Sequence, residues 1–315
     1  MKKLQSILMI FALFSATNTY ATKVSFMLDW FVNPDHGNVI IAQQMGFFKQ
    51  QGLEVDILEP ADPADPPKFS ALKKVDYAMN YQNTLQVQAS EGWKNVRIAS
   101  MITSPLTSLI VLKDSGIKSI KDLKGKKIGY SAPGFEDVTI GTMLRANGLN
   151  LKDVQLINVN WALSASLVTK KVDAIIGGYR NFELTELELE GYPGVAFFPE
   201  DHGMPLYDEI VLVTHRDNAR TDTTKKLIKA LEKAVQYMKN YPQKSWEVFK
   251  LYKPDMLDNT LNKRAWFDTL RRFTSTPSAL DHGRYIEFAK FLEENKMVTK
   301  KIPPLNMYAI DVFDK

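Results

Sequence analysis

The chain of 315 residues contains no cysteine and only four histidines. Without cysteine it can form neither a disulfide framework nor a lipid-modified amino terminus, so a secreted protein of this length depends on its hydrophobic core for stability. The histidines are scattered, and no two of them are closely paired. Because structural metal sites use closely spaced histidine and cysteine ligands, the sequence predicts no bound metal and no cofactor.

An excess of charge of one sign is also missing, with 40 basic against 36 acidic side chains. Nucleic-acid-binding domains carry a clear basic surplus, so a nucleic-acid partner is excluded. No P-loop and no Gly-x-Ser-x-Gly elbow occurs in the sequence. The chain therefore lacks the motifs that would indicate nucleotide hydrolysis or a serine nucleophile, and no catalytic residue is predicted.

The first residues have the composition of a secretory leader. Lys2 and Lys3 precede an apolar stretch at residues 7–14, and small residues surround Ala21. This pattern predicts a signal peptide over residues 1–21 that is cleaved after Ala21. The alternative is a membrane anchor, but the apolar stretch is far shorter than the roughly 20 residues that a membrane-spanning helix requires.

A short segment occurs twice in nearly the same form. Residues 73–79 read KKVDYAM, and residues 170–176 read KKVDAII. Each copy follows a helix-like apolar run and leads into a polar or glycine-bearing loop with a tyrosine. A helix that feeds a buried strand is the repeating half of an open α/β sheet, in which ligands collect at the carboxyl ends of the strands. The repeat predicts two lobes that each form one wall of a cleft.

Strand and helix patterns alternate along most of the chain and turn helical after Asp222. Four prolines in residues 60–67 predict an extended loop. We expect an α/β protein whose first lobe contains residues 22–105 and, after the chain returns, residues 211–315 with the C-terminal helices. Residues 106–210 would form the second lobe. Two crossings, near residues 104–107 and 207–213, would make a two-stranded hinge.

Aromatic and carboxylate residues recur at the predicted strand ends. A flat heteroaromatic ligand needs aromatic faces for stacking and a few directed polar groups for its edge. The aromatic candidates are Trp30, Tyr81 and Tyr179, and the polar residues beside them are Asp29, Gln82, Asn181 and Glu183.

Each candidate also has a purely structural interpretation. Trp30 and Tyr179 could be core residues, because aromatic side chains are often simply buried. Asp29 and Glu183 could cap the helices that follow them. Ser131 and Gly134 could bind an anion at a helix N-terminus, or they could form only a turn and an N-cap.

Several motifs together resemble one family of transport proteins. These are DWFVNPDH at residues 29–36, GFF at 46–48 with GLEV at 52–55, KDLKGKKIGY at 121–130, the two KVD units and LVT at 212–214. The chain is similar in these motifs to the substrate-binding proteins of ABC importers for pyrimidine precursors of thiamine. The resemblance spans roughly residues 24–250.

The resemblance implies a two-lobed, type II periplasmic binding fold that closes on its ligand like a Venus flytrap. It implies a monomer in the periplasm that binds a formylaminopyrimidine or hydroxymethylpyrimidine and delivers it to an ABC permease in the inner membrane. Trp30 and Tyr81 would stack on the ring. The edge contacts would be Asp29, Asn33, His36, Gln82, Tyr179 and Glu183. One departure from the family pattern is that Val32, and not proline, precedes Asn33.

Two alternatives remain open at this stage. Binders of alkanesulfonates, nitrate and flavins belong to the same superfamily. The fungal pyrimidine synthases also resemble the chain, through ILEP at residues 57–60 and the first KVD unit. Those enzymes need a lysine that holds pyridoxal phosphate, a following histidine and a cysteine-rich iron site. Asn80 and Thr84 occupy the lysine and histidine positions here, which argues for a binding protein and against an enzyme.

Overall fold

The computed structural model of the protein describes residues 21–132 and 135–314. The predicted leader, apart from Ala21, lies outside these residues. The ten strands of the described part are β1 (Thr22–Met27), β2 (Leu53–Leu58), β3 (Tyr77–Asn80), β4 (Asn95–Ile102), β5 (Thr107–Leu112), β6 (Lys127–Tyr130), β7 (Gln155–Asn158), β8 (Ala174–Tyr179), β9 (Gly194–Phe197) and β10 (Ile210–His215).

Helices flank these strands and form most of the C-terminal region. They are α1 (Gly37–Gln44), α2 (Phe47–Gln50), α3 (Asp65–Ala71), α4 (Gln82–Ser90), α5 (Phe135–Ala146), α6 (Leu163–Val168), α7 (Glu183–Leu189), α8 (Asp222–Asn240), α9 (Pro242–Lys250), α10 (Pro254–Leu257), α11 (Thr260–Leu270) and α12 (His282–Glu294).

The strands form two five-stranded sheets with the same internal plan. The first sheet has the order β2-β1-β3-β10-β4, and the second has the order β7-β6-β8-β5-β9. In each sheet the first three strands are parallel, and the fourth runs antiparallel to the third. We call the first sheet with its helices the first lobe and the second sheet with its helices the second lobe. The α/β two-lobed fold class is confirmed.

The repeated KKVD segment has the same structural role in both lobes. Lys73 and Lys170 adopt left-handed backbone conformations (φ 55° and 57°) immediately after α3 and α6. The aspartates then bind the backbone of the neighbouring parallel strand. Asp76 Oδ2 accepts from Ser25 N at 2.8 Å, and Asp173 Oδ2 accepts from Lys127 N at 2.8 Å. The repeat therefore ends a helix and fixes the start of the next strand in each lobe.

Two connections join the lobes. One runs from β4 to β5 over residues 103–106, and the other runs from β9 to β10 over residues 198–209. They meet at Glu209, whose buried carboxylate accepts from the backbone N–H groups of Leu106 and Thr107 at 2.6 and 2.9 Å. Tyr207 donates its hydroxyl to the same carboxylate at 3.1 Å. The lobe boundaries predicted after residues 105 and 210 stay a prediction.

The C-terminal helices cover the first lobe. The predicted apolar stripe of α8 is buried in its core, against α1, α2 and α9. Helix α12 packs against α4 in a second cluster of the same lobe. None of the helices in residues 21–132 and 135–314 combines the length and apolar character that crossing a membrane requires.

The extended loop predicted over residues 59–67 is partly wrong. Helix α3 begins at Asp65, and Pro66 and Pro67 lie in its first turn. A proline is tolerated there because the first backbone N–H groups of a helix have no partner inside the helix.

Candidate functional site

A narrow cavity lies between the lobes at the carboxyl ends of β1, β3, β6 and β8. Its volume is about 50 Å³, room for only a few water-sized molecules. Both lobes contribute side chains, which is the placement expected for a ligand site in open α/β sheets. The described residues that line it are Asp29, Trp30, Asn33, Asp35, His36, Tyr81, Ser131, Ala132, Gly177, Tyr179, Phe182 and Glu183.

Asp29 is the centre of a hydrogen-bond network on the first-lobe side. Its Oδ1 lies 3.0 Å from His36 Nε2, and its Oδ2 accepts from the Tyr81 hydroxyl at 2.9 Å. The backbone N–H of Asn33 donates to His36 Nδ1 at 3.1 Å. A neutral imidazole that accepts at Nδ1 carries its proton on Nε2, so His36 donates to Asp29. The Asp29 carboxylate is thus held in place, and its remaining lone pairs can accept further hydrogen bonds.

Asn33 shapes the turn that carries these residues. Its Oδ1 accepts from Asp35 N at 2.8 Å, which caps a short 3₁₀ turn over Pro34–His36. The proline after Asn33 is the first residue of that turn. The sequence departure at Val32 and Pro34 is therefore accommodated by an ordinary N-cap, because proline suits the first position of a helical turn.

The second lobe contributes Glu183 and Tyr179 on the opposite wall. Glu183 is only 8% exposed, and its Oε2 accepts from Tyr179 N at 2.6 Å. Burial raises the pKa of Glu183 to about 8, although the bond from the Tyr179 backbone opposes the shift. At neutral pH the carboxyl is therefore mainly protonated and carries one donor beside one acceptor.

Asp35 is more deeply buried, with 1% of its surface exposed. Its Oδ1 accepts from Asn181 Nδ2, a second-lobe side chain, at 2.7 Å and lies 3.2 Å from Thr269 Oγ1. Its Oδ2 has no hydrogen-bond partner among the described residues. Burial raises the pKa of Asp35 to about 6.

Aromatic rings form the rest of the walls and bridge the lobes. Trp30 packs against the core of the second lobe, with its ring centroid 4.4 Å from that of Trp161. Phe31 meets Phe182 edge-on at 6.2 Å. The indole Nε1 of Trp30 is buried and has no partner within the described part of the chain. Trp30 therefore combines an apolar wall with one donor that a ligand could use.

Seven of the nine residues predicted from the sequence line the cavity. The two exceptions are Gln82 and Asn181, whose side chains are fully buried beside it. Gln82 Oε1 accepts from Asp208 N at 2.8 Å, so it anchors the second connection between the lobes. Asn181 uses both hydrogens of its amide on Asp35 and Thr269. Both side chains are engaged within the protein, and their role as ligand contacts stays a prediction.

The two acidic residues with a possible helix-capping role have other partners. Asp29 binds His36 and Tyr81, and Glu183 Oε2 accepts from the backbone of Tyr179, four residues before it. Ser131 donates its hydroxyl to the backbone carbonyl of Asn160. Gly134 lies outside the described residues.

The polar groups of the cavity are acidic or neutral. Among the described lining residues, none is lysine or arginine. No cluster of three or more potential metal ligands occurs within residues 21–132 and 135–314. The site therefore offers acceptors, and a protonated carboxyl, to a ligand that carries hydrogen-bond donors.

A second cavity of about 290 Å³ adjoins the first and shares Asp29, Tyr81 and Ala132 with it. Asn80 and Thr84 line this second cavity. Asn80 Nδ2 donates to Gln88 Oε1 at 3.1 Å, and its Oδ1 accepts from Tyr81 N at 2.9 Å. Its amide is therefore used to hold the strand end in place.

The sequence matches the family described as NMT1/THI5 like over residues 33–245. It is 49% identical over 290 residues to a protein of Haemophilus influenzae that is named for thiamine biosynthesis, an alignment that covers 92% of each chain. It is 35% identical over 192 residues to the formylaminopyrimidine-binding protein of Halalkalibacterium halodurans, covering 61% of this chain and 58% of that one. A Legionella pneumophila 4-amino-5-hydroxymethyl-2-methylpyrimidine phosphate synthase is 26% identical over 298 residues, covering 89% and 90%.

Solved structures with the same fold include periplasmic binding proteins. The alkanesulfonate-binding protein SsuA of Xanthomonas axonopodis superposes with a TM-score of 0.73 at 13% identity, over 91% of this chain and 98% of that one. At this identity the likeness establishes the fold and carries no information about the ligand. The type II binding-protein fold expected from the sequence is confirmed.

Proposed function

The chain belongs to the NMT1/THI5-like family, and from that premise we propose that it is the periplasmic solute-binding component of an ABC importer for a thiamine-related aminopyrimidine. The ligand would be of the formylaminopyrimidine or hydroxymethylpyrimidine type. The observation that carries the proposal is the composition of the cavity between the lobes. Aromatic walls enclose three carboxyl groups, and no basic side chain is among the described lining residues.

An aminopyrimidine fits this set of groups. Its edge presents a ring nitrogen that accepts a hydrogen bond next to an exocyclic amino group that donates one. The protonated carboxyl of Glu183 offers the complementary donor and acceptor side by side. Asp29, held by His36 and Tyr81, retains acceptor capacity for further ligand donors.

The aromatic residues would hold the ring face. Trp30 and Tyr81 line the cavity from the first lobe, and Tyr179 and Phe182 line it from the second. A ligand in contact with all four binds the closed arrangement better than an open one. Its differential affinity would draw the lobes together about the two connections.

Transport by this mechanism needs a partner and a compartment. We propose that residues 1–21 direct the chain to the periplasm and that the mature protein works as a monomer. The lobes would comprise residues 22–105 with 211–315, and residues 106–210. The closed form would present its ligand to an ABC permease in the inner membrane.

The chain would bind its ligand without transforming it. The relatives named as synthases raise the enzymatic alternative, but Asn80 cannot form a Schiff base, because a primary amine is required for that reaction. Thr84 cannot replace an imidazole, and the sequence has no cysteine for an iron site.

Ligands of the other superfamily members fit the site less well. Alkanesulfonate and nitrate are anions, which the carboxylates of Asp29 and Asp35 would repel in a desolvated cavity. The cavity of about 50 Å³ must open for either ligand, and a flavin, with three fused rings and a ribityl chain, would require a much wider opening than a single pyrimidine ring.

The proposal is tested by isothermal titration calorimetry on the mature protein, residues 22–315. The panel contains 4-amino-5-hydroxymethyl-2-methylpyrimidine, its formylaminomethyl analogue, taurine, nitrate and riboflavin. We expect only the pyrimidines to bind. In urea denaturation at ligand concentrations of 100 times Kd, they should add about 2.7 kcal/mol to the free energy of unfolding. Binding of taurine alone would refute the assignment. The Glu183→Ala variant should lose pyrimidine binding, whereas Glu190→Ala, an exposed change next to α7, should not.

A further inference from the structure

We propose that Asp35 is a specificity-determining ligand contact. It would select an amino- or ammonium-bearing substituent at position 5 of the pyrimidine ring, beside the 4-amino group. This inference rests on the proposed function and narrows the class of ligand. Neither the sequence motifs nor the comparisons assign a role to this residue. The proposal depends on three structural observations: the different states of the two carboxylate oxygens, the way the side chain is held in one orientation, and the charges around it.

The first observation is the contrast between the two carboxylate oxygens. Oδ1 is engaged by Asn181 at 2.7 Å, whereas Oδ2 is buried and has no partner among the described residues. A buried acceptor without a donor is costly, and more so when it is charged. Asp35 also lines the cavity, so a ligand there is the group that can supply the missing donor.

The second observation is that the protein holds the Asp35 side chain in one orientation. Asn181 Nδ2 donates to Asp35 Oδ1 and to Thr269 Oγ1, each at 2.7 Å. The single hydroxyl hydrogen of Thr269 then serves either Ala265 O at 2.7 Å or Asp35 Oδ1 at 3.2 Å. Both partners act on Oδ1, which leaves Oδ2 for the ligand.

The third observation concerns the charges around Asp35. Asp29 and Glu183 face it from the two walls, and His36, which already donates to Asp29, is its neighbour in sequence. Arg272 acts on it only at longer range, because no ion pair joins the two within the described part of the chain. A carboxylate in this acidic setting favours a cationic or donor-rich group over a neutral acceptor.

These observations predict a ranking of ring substituents. With the 4-amino-2-methylpyrimidine ring held constant, an aminomethyl group offers a charged donor, a hydroxymethyl group offers a neutral donor and a methyl group offers none. Hydrogen bonds that involve a charged group are about twice as strong as neutral ones. We therefore expect affinity to fall in the order aminomethyl, hydroxymethyl, methyl.

Calorimetry with these three ligands at pH 7 tests the inference on the mature protein and on Asp35→Asn, which keeps the shape of the side chain and removes its charge. In the unsubstituted protein we expect aminomethyl to bind on the order of 30-fold more tightly than methyl. In Asp35→Asn the affinities of the aminomethyl and methyl ligands should differ by no more than about threefold. The aminomethyl ligand loses its charged acceptor, whereas the methyl ligand makes no bond to the carboxylate.

The matched control is Asp255→Asn, which makes the same change at an exposed aspartate outside the cavity. It should leave all three affinities and their ratio unchanged, and circular dichroism of both variants reports that they fold. An unchanged ratio in Asp35→Asn would overturn the inference while leaving the proposed function intact. Equal binding of the aminomethyl and methyl ligands by the unsubstituted protein would do the same. Failure of all three ligands to bind would overturn both.

Discussion

Thr107 donates both its backbone N–H and its hydroxyl to the carboxylate of Glu209, each at 2.9 Å. Thr107 is the first residue of β5, directly after one connection between the lobes, and Glu209 ends the other connection. Arg180, the residue after β8, reinforces the same place, since its Nη2 donates to Thr107 O at 3.0 Å and it pairs with Glu200. Any rotation of one lobe against the other must take place around this set of hydrogen bonds.

The first prediction concerns that junction. Glu209→Gln should lower the free energy of unfolding by about 1–3 kcal/mol, because an acceptor used by two backbone N–H groups is replaced in part by a donor. Urea denaturation measures the change. In a double-mutant cycle with Thr107→Val the two changes should couple, whereas strict additivity would show that the contact contributes nothing.

The second prediction concerns the dependence of stability on pH. The pKa of Glu183 is about 8 in the folded protein against 4.5 for an ordinary glutamate. Between these values the unfolded chain loses the proton while the folded chain keeps it, so stability falls as pH rises through the interval, by at most about 1.4 kcal/mol per pH unit. Burial also raises the pKa values of Asp35, Glu186 and Glu209, so the share of Glu183 in the slope between pH 6 and 8 is isolated by substituting it alone.

Glu183→Gln should flatten that slope and leave stability near pH 4 almost unchanged. Urea denaturation of the ligand-free protein at several pH values measures it. The exposed change Glu190→Gln serves as the control and should keep the slope of the unsubstituted protein. A slope in Glu183→Gln equal to that of the control would show that Glu183 is ionised at neutral pH.

The third prediction separates the charge of Glu183 from its hydrogen-bonding pattern. Glutamine carries a donor and an acceptor on one planar group, as a protonated carboxyl does. Glu183→Gln should therefore retain pyrimidine binding within about tenfold, whereas Glu183→Ala should lose on the order of 100-fold. Calorimetry at pH 7 gives both numbers. Equal losses in the two variants would mean that the ligand requires the ionised carboxylate.

The fourth prediction concerns Tyr81. Tyr81→Phe removes the hydroxyl that donates to Asp29 at 2.9 Å and keeps the ring. We expect the Kd for the pyrimidine to rise about tenfold, because Asp29 becomes less well oriented, and Tyr81→Ala to cost at least tenfold more through lost stacking. Tyr241→Phe, at an exposed ring in the C-terminal region, is the control. If Tyr81→Phe and Tyr81→Ala raise the Kd equally, the Tyr81 ring does not stack on the ligand.

Much of the fold is predictable because it depends on local patterns. The β-rich apolar runs at residues 53–58 and 107–112 coincide with β2 and β5. The lysines and aspartates of the repeat fixed where helices end and strands begin. The start of α3 could not be predicted in the same way, since its prolines favour a loop or the first turn of a helix equally.

The site was predictable only in part, because the sequence reports residue type and not direction. Trp30 and Tyr81 line the cavity as expected, and Gln82, the next residue after Tyr81, is turned toward Asp208 instead. Asp35 looked like one more polar residue in a loop. Its importance depends on Asn181 and Thr269, which are far away in the sequence and meet it only after folding.

The aspartates of the repeated segment have a consequence for the design of new binding proteins. Asp76 and Asp173 fix helix, turn and strand from the side away from the ligand. The residues that follow β3 and β8 differ between the lobes. Among them Gln82 and Arg180 hold the connections between the lobes, whereas Tyr81 and Glu183 line the cavity. A chimaera that exchanges Tyr81 and Glu183 for the residues of a relative and keeps Gln82 and Arg180 should therefore keep its fold and acquire a different selectivity.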